Sequence, residues 1–406
     1  MSLAFEGIKV IEAATVFAAP MAGRLMADWG ADVIHVEHPV RGDSSRSPQF
    51  AGIVGGRVIM SDVDYVIENF NRNKRSMTLD LSHELGRNII YTMLEKADVL
   101  LSNFRPRELE KFKLEYETLV KINPRIICAN LTGYGSKGPD RDLPGFETTG
   151  YFSRSGIHHV IQMPGTRLAQ MPVSFGDNVA GLALVYGIIT ALFARERTGV
   201  GQEVDVSLFS TGVYALSYDI AAALVTGQDR QPVERKDVTN VLANYYETKD
   251  SRLLFLGIAQ PDVYWSRLCQ AIEREDLEHD PRFASFEAKI ANHVLLFDIL
   301  EEAFLARTLE EWKTRLSEAM IPFAPIQTFP EVISDPQARA NEFFIAYNHP
   351  TYGNMEMVAN PVKLGGNTAP VRLPAPEFGQ HTEEVLLEYG YTWGDIEQFK
   401  EQGIIS

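Results

Sequence analysis

The sequence predicts an α/β protein: a large domain on a doubly wound, mostly parallel, Rossmann-like sheet, followed by a smaller α+β domain. Three observations carry this. Strand-like apolar runs alternate with helix-like stretches from residue 8 to residue 131, the order that builds an open sheet covered on both faces. The texture changes near Gly227, where Gln228 to Lys236 turns polar and charged, so residues 226–330 read as a unit separate from 1–225. The chain of 406 residues, 45% hydrophobic and 23% charged, is long enough for two or three domains and a large core.

In chain order, Ile8–Glu12 is the first strand, Ala18–Trp29 a small-residue helix stopped by Gly30, and Asp32–Val36 the second strand. Such a unit implies a parallel pair with a right-handed crossover. Pro39 to Asp64, rich in Gly, Ser and Arg, reads as a long surface loop. Met77–Leu81 is a short strand, and Ser82 caps a helix to about Glu95. Asp98–Ser102 is a strand ending at Asn103-Phe104-Arg105-Pro106-Arg107; Leu114–Val120 is a short helix and Arg125–Leu131 a further strand. The apolar run from Val179 to Ala194 reads as a buried core helix, shorter than the ~20 residues that span a bilayer. Gly201–Ser207 adds a strand, with a helix from about Thr211.

Beyond the linker, Asn244 to Leu256 reads as a hairpin around Lys249-Asp250-Ser251, and mostly helices follow. Thr308 to Glu311 has the capping-box pattern, and Pro336 opens a helix at its first position. Tyr352 to Leu364 returns to short strands, and His381–Tyr389 is the last helix.

A net charge of −16 argues against nucleic acid as a partner. Cys128 and Cys269 form no disulfide framework, the N-terminus has no basic region leading into an apolar segment, and a reducing cytoplasm with no membrane partner fits. The nine histidines form no metal pattern, so no metal is expected. Gly133-Tyr-Gly135-Ser-Lys-Gly138 matches a dinucleotide fingerprint, but Pro139 to Gly145 cannot start the helix that fingerprint needs, so no nicotinamide is expected and the loop reads as lining a ligand site. No Gly-x-Ser-x-Gly and no Walker-type lysine is present.

Two features remain. Basic groups gather at Arg72, Lys74 and Arg75 before one strand and at Arg105, Arg107 and Lys111 after another. In an acidic protein they read as solvated surface charge or as the cations a polyphosphate would need. Gly176-Asp177 stands directly before the apolar helix. Glycine there permits a sharp turn or close approach, and a carboxylate at a helix head is held ionised by free N–H groups and the dipole. From these residues alone Asp177 is a helix cap before it is a nucleophile.

The ordered set of Gly7-Ile-Lys-Val-Ile-Glu12, Pro20 with Gly30-Ala-Asp-Val-Ile34, Asn73-Lys-Arg-Ser76, Lys96-Ala-Asp-Val-Leu100 with Asn103-Phe104, Asn123-Pro-Arg125, Thr132-Gly-Tyr-Gly135, Gly176-Asp177 and Thr198-Gly-Val-Gly-Gln202 resembles the class III CoA-transferases of the formyl-CoA and carnitine type. The resemblance covers essentially the whole chain and includes Asp335 to Ala340. It implies a large domain completed by residues 331–406, a small domain at 226–330, and two protomers interlocked like chain links, either a homodimer or a heteromer with a homologous subunit.

It further implies Asp177 as the nucleophile, coenzyme A entering as acyl-CoA, and a free carboxylic acid as the second substrate. The family's CoA-binding segments fall on Val16, Phe17 and Ala18, on Lys74 and Arg75, and on Asn103 and Phe104; Arg107 joins them as a nearby cation. The family's acidic residue in the preceding loop falls on Glu147, and its closing loop on Gly257 to Asp262, which places Gly257 and Gln260 at the substrate.

Phe17 stands where formyl-CoA transferases carry Gln, which implies an apolar acyl pocket, with Phe17 as an aromatic lid. Asp142 to Phe146 resembles members acting on phenyllactate and benzylsuccinate, with succinyl-CoA among the donors. Racemases of the family place a His before an Asp in this loop; Phe146 before Glu147 cannot shuttle a proton, so a racemase ranks second. A CoA-binding subunit of a mixed oligomer is the third reading.

Overall fold

The computed structural model describes residues 3–47, 53–54, 57–58, 61–162 and 165–406. The chain forms two compact units: Met1–Val160 with Ala169–Arg230 and Arg339–Ser406, and Ile161–Leu168 with Gln231–Ala338.

The first unit is built on six parallel strands: β1 (Lys9–Ala13), β2 (Asp32–Glu37), β3 (Arg75–Thr78), β4 (Val99–Ser102), β5 (Ile127–Thr132) and β6 (Glu203–Ser207). They lie in the order β3-β2-β1-β4-β5-β6, with Val10 of β1 opposite Val33 on one side and Val99 on the other. Alternate residues feed two separate cores. Ile11, Ile34, Leu100 and Cys128 face one, and Val10, Val33, Leu101 and Ala129 the other. A strand apolar on both faces is what a doubly covered parallel sheet requires. The order reverses between β1 and β4, and ligands of such sheets bind at the carboxyl ends of the strands beside that reversal.

Up to residue 226 the helices of this unit are α1 (Ala18–Asp28), α2 (Tyr65–Asn71), α3 (Glu84–Leu94), α4 (Pro106–Phe112), α5 (Tyr116–Ile122), α6 (Ile157–Ile161), α7 (Phe175–Thr198), α8 (Leu208–Ala215) and α9 (Ser217–Thr226); Thr382–Glu388 and Trp393–Glu401 follow near the C-terminus, so the helix at 381–389 is not the last. Alanine-rich α1 is buried along its whole length. Several boundaries differ from the sequence reading. β3 starts two residues before Met77, and His83 rather than Ser82 caps α3, its side chain accepting from Leu85 N. α8 starts at Leu208, where the Ser207 hydroxyl accepts from Ser210 N. α7 runs 24 residues, so it is long enough to cross a bilayer, with a mean hydropathy of 1.6 over its most apolar window, of which 39% is buried. The expectation of a short, buried core helix is therefore corrected.

The Pro39–Asp64 segment is not all surface: Asp43 and Ser45, around a helical turn at Ser44–Arg46, are buried. Residues 48–52, 55–56 and 59–60 of it lie outside the described residues.

The second unit holds an antiparallel sheet of β7 (Ala243–Glu247), β8 (Leu253–Gly257) and β9 (Phe323–Pro325), with β8 central. Helices Pro261–Ala271, His293–Leu305 and Leu309–Glu318 pack on it around Tyr246, Leu268, Phe304 and Trp312. Two buried aromatic residues satisfy their polar atoms where they pack: Trp312 Nε1 donates to Phe304 O at 2.8 Å and Tyr246 OH to Val241 O at 2.7 Å, whereas Trp265 Nε1 finds no acceptor among the described residues.

Candidate active site

Asp177 is the third residue of α7 and 8% exposed. It does not cap the helix. Glu147 does that, from a loop 30 residues upstream: its carboxylate accepts from Ser174 N at 2.6 Å and Gly176 N at 2.9 Å, and the Asp177 N–H adds to the grip. The left-handed turn that starts the helix is at Ser174, φ 68°, not at the glycine. Gly176 is needed for a different close approach, since a Cβ there would lie 2.6 Å from the Tyr151 ring.

With the helix head occupied by Glu147, the Asp177 carboxylate has no hydrogen-bond donor among the described residues. Burial and, next, the Glu147 charge push it up to about 7. The expectation that the helix head keeps Asp177 ionised is corrected accordingly; the dipole acts in that sense but is already engaged. Burial also raises Glu147, against its backbone hydrogen bonds.

The face of α7 that carries Asp177 packs, one turn on, against α1. Gly181 lies one turn on, at i+4, and a Cβ on it would meet Ala18 O at 2.8 Å and Met21 at 3.0 Å. One turn beyond Asp177, α7 thus packs on the start of α1, the helix that follows the β1–α1 loop holding Val16 and Phe17. Val16 has φ 70°, rare for a β-branched residue. Across the reversal, the Asn103 amide grips the same loop, accepting from Thr15 N at 3.2 Å and donating to Thr15 O at 2.8 Å. Asn103 thus holds the β1–α1 loop, and Glu147 holds the head of α7.

Other expected residues fall differently. Phe17 is buried and stacks on Phe70, centroids 4.5 Å apart, so it is core rather than a lid. Lys74 Nζ is fully enclosed by Glu12 Oε1 at 2.7 Å, Pro20 O at 2.9 Å and Asn71 Oδ1 at 3.0 Å, which leaves no donor for a phosphate. Arg75 is taken up by Asp32, Glu384 and Glu388. Both are corrected from cofactor contacts to internal ion pairs. Phe104 packs edge-on to Phe112 after β4, and its carbonyl accepts from Asn130 Nδ2 at 3.0 Å.

Arg107 is exposed at the start of α4, its backbone N–H bound to Asp142 Oδ1 at 2.9 Å. Its guanidinium has no partner among the described residues and is open to an anion. In the second unit, Gly257 closes β8, donating to Pro322 O at 2.8 Å, and Gln260 precedes the helix opened by Pro261. Gly135 and Gly138 both have positive φ in an irregular turn, and Tyr134 to Lys137 line a cleft of about 560 Å³ with Asp205 and Phe209.

Sequence reading missed Asp43. Its carboxylate accepts from Val16 N at 3.0 Å and Ser45 N at 2.8 Å. Only a neighbour on a distant loop reveals this, and no local pattern signals it.

Sheet order defines a doubly wound α/β protein, and the buried, donor-free Asp177 carboxylate is its candidate reactive group. Comparison with known proteins makes the class specific. The sequence model of CoA-transferase family III matches residues 5–382, and the chain belongs to that family: it is a class III CoA-transferase.

The (R)-2-hydroxy-4-methylpentanoate CoA-transferase of Clostridioides difficile is 34% identical over 98% of this chain and 99% of its own length. The cinnamoyl-CoA:phenyllactate CoA-transferase of Clostridium sporogenes is 36% identical over 98% and 96%. Among solved structures, a CAIB/BAIF family protein from Brucella suis superposes with a TM-score of 0.80 at 28% identity, covering 96% of this chain and all of that one (100%). Rv3272 from Mycobacterium tuberculosis gives 0.81 at 27% identity, over 94% and 99%.

Proposed function

We propose that this enzyme moves CoA from an acyl-CoA to a carboxylic acid with a bulky apolar or aromatic side chain, through Asp177 as covalent nucleophile. The observation that carries the reading is the Asp177 carboxylate itself. A buried carboxylate without a donor is costly, and such groups persist where they have chemistry to perform.

The ionised oxygen attacks the thioester carbonyl, forming an Asp177–acyl anhydride and releasing CoA thiolate. The thiolate attacks the Asp177 carbonyl, forming an aspartyl-CoA thioester and freeing the donor acid. The acceptor carboxylate attacks that thioester and the steps run in reverse. Covalent catalysis splits one hard exchange into easier ones, and exclusion of water prevents loss of the anhydride.

Val16 and Ala18 line the approach to Asp177 in this reading, Arg107 offers the anion contact, and Glu147 positions the helix head rather than touching substrate. Phe146, Val173 and Phe175, each more than half exposed, flank Glu147 and Asp177 in the chain and supply apolar surface for a bulky acid. The named activities of the two similar relatives, on a branched and an aromatic 2-hydroxy acid, point the same way.

The enzyme works as a homodimer in this reading, because α7 and α9 present apolar stripes that a second copy would cover. Both cysteines are free and buried, which suits a cytoplasmic enzyme.

The test is turnover with a panel of acyl-CoAs and free acids, including phenyllactate and benzylsuccinate with succinyl-CoA as donor, read by mass spectrometry for new thioesters. Exchange that disappears in Asp177→Ala, together with an intact-protein mass increased by CoA in the wild type, is expected. Exchange that survives Asp177→Ala overturns the reading. Exchange of the α-proton with deuterated water in the absence of any acceptor acid would favour the racemase instead.

A further inference from the structure

We propose that Asp43 is a positioning residue: its buried carboxylate, braced by His35, holds Val16 in a left-handed turn and so fixes the β1–α1 loop to receive the thioester arm of acyl-CoA. The proposal rests on the reading of that loop as part of the acyl-CoA site.

A β-branched residue at φ 70° is strained and persists only where its surroundings over-determine it. Two side chains do so here. Asn103 grips the peptide groups of Thr15, and Asp43 Oδ1 accepts the Val16 N–H at 3.0 Å. Asp43 is fixed in turn. Its backbone N–H donates to Glu37 Oε2 at 3.0 Å, and Glu37 is gripped by Arg46 Nε at 2.8 Å and Ser76 Oγ at 2.7 Å.

Asp43 Oδ2 faces His35 Nε2 at 3.4 Å; His35 Nδ1 lies 2.7 Å from Glu12 Oε1, which also takes the Lys74 ammonium. Every one of these groups is buried except Arg46, which is partly so. Replacing buried ion pairs by apolar packing is often neutral or stabilising, so a chain of them is weak evidence for stability. What this chain delivers is a loop geometry at the sheet's reversal, directly before the helix on which α7 packs.

The experiment is a double-mutant cycle of Asp43→Ala with Val16→Gly, read as separate KM values for acyl-CoA and acceptor acid together with kcat. Asp43→Ala should raise KM for acyl-CoA about tenfold and leave KM for the acid within about twofold, and in the Val16→Gly background the same change should matter about threefold or less, since glycine adopts the turn without strain. A general loss of folded enzyme would lower the active fraction and leave both KM values alone.

Should Asp43→Ala fail to fold, Asp43→Asn replaces it. Against its burial, the carboxylates around His35 raise it to about 9, so the amide oxygen turns to His35 and the NH2 group faces Val16 N–H and Ser45 N–H; the same KM rise and the same relief by Val16→Gly are expected. An unchanged KM for acyl-CoA, or an equal rise in both backgrounds, in a wild type that turns over acyl-CoA overturns the assignment of Asp43 alone. A wild type that turns over and binds no acyl-CoA refutes the site reading, and this proposal with it.

Discussion

Two carboxylates, Glu147 and Asp177, divide the head of α7 between them. Glu147 takes the backbone N–H groups, and Asp177 is left buried, repelled by its neighbour and pushed up to about 7. As the proposed nucleophile, Asp177 must be ionised, so kcat/KM should rise with pH through an acidic limb near 7 and level off above it. Glu147→Gln removes the neighbouring charge, so that limb should move to lower pH. It also replaces one accepting oxygen with an NH2 group facing a backbone N–H, which should cost about 1–3 kcal/mol in a urea titration.

Stability responds in the opposite sense. Between the ordinary carboxylate value of 3.8 and about 7, the folded chain keeps a proton on Asp177 that the unfolded chain releases. Stability therefore falls as pH rises through that window, by at most about 4 kcal/mol. Asp177→Asn should abolish exchange yet raise Tm at pH 8, with the gain vanishing toward pH 4. Asp177 stood out in the sequence as an acid before an apolar helix. The identity of the capping group did not, because it arrives from a loop outside any local pattern.

At the scale of elements, strands β1, β2, β4 and β5 were legible because each is a short apolar run bounded by polar residues, and burial on both faces leaves little room for other patterns. Helix α7 misled for the same reason. Its apolar residues exceed what the sheet can cover: Ala180, Leu184, Ile188 and Ala191 face the core, while Leu182, Tyr186, Ile189 and Phe193 form a second stripe spaced 4-3-4 on the outside. Tyr186 is 73% and Phe193 61% exposed. On α9, where no residue is buried, Tyr218 and Val225 are more exposed still. Apolar patches of this extent mark association sites. On the proposed homodimer, Tyr186→Glu combined with Phe193→Asp should shift the mass seen by sedimentation from dimer toward monomer or aggregate. An unchanged dimer would show that these stripes are not what a second copy covers.

At the scale of the whole molecule, the segment read as a basic, phosphate-binding stretch joins the ends of the first unit. Arg72 reaches Asp28 through two hydrogen bonds, at 3.1 and 3.0 Å, and Val358 O at 3.0 Å. Asn73, itself left-handed at φ 64°, donates to Asp28 and Pro370 O, while its amide oxygen accepts from Arg372 N and Leu373 N. Arg75 ties β3 to Glu384 and Glu388, and Glu68 accepts from Tyr347 OH at 2.6 Å and lies 3.1 Å from His349 Nε2. The counter-charges lie more than 40 residues upstream, at Glu12, Asp28 and Asp32, or some 310 downstream, at Glu384 and Glu388, so sequence spacing offered no sign that these cations were already neutralised.

Asp28 is the centre of this joint, with Arg24, Arg72, Asn73 and Asn360 all turned toward it in a buried setting. Asp28→Ala leaves two guanidinium groups buried without a counter-charge and should destabilise the first unit by about 3–5 kcal/mol. Asp28→Asn keeps an acceptor and should cost less. Hydrogen exchange places the effect: protection should fall first in residues 355–375, which the Asp28 cluster anchors, while the β4 and β5 amides stay protected until global unfolding. If β4 and β5 lose protection together with the C-terminal segment at every denaturant concentration, the segment is an integral part of the sheet's cooperative unit and not a strap closed over it.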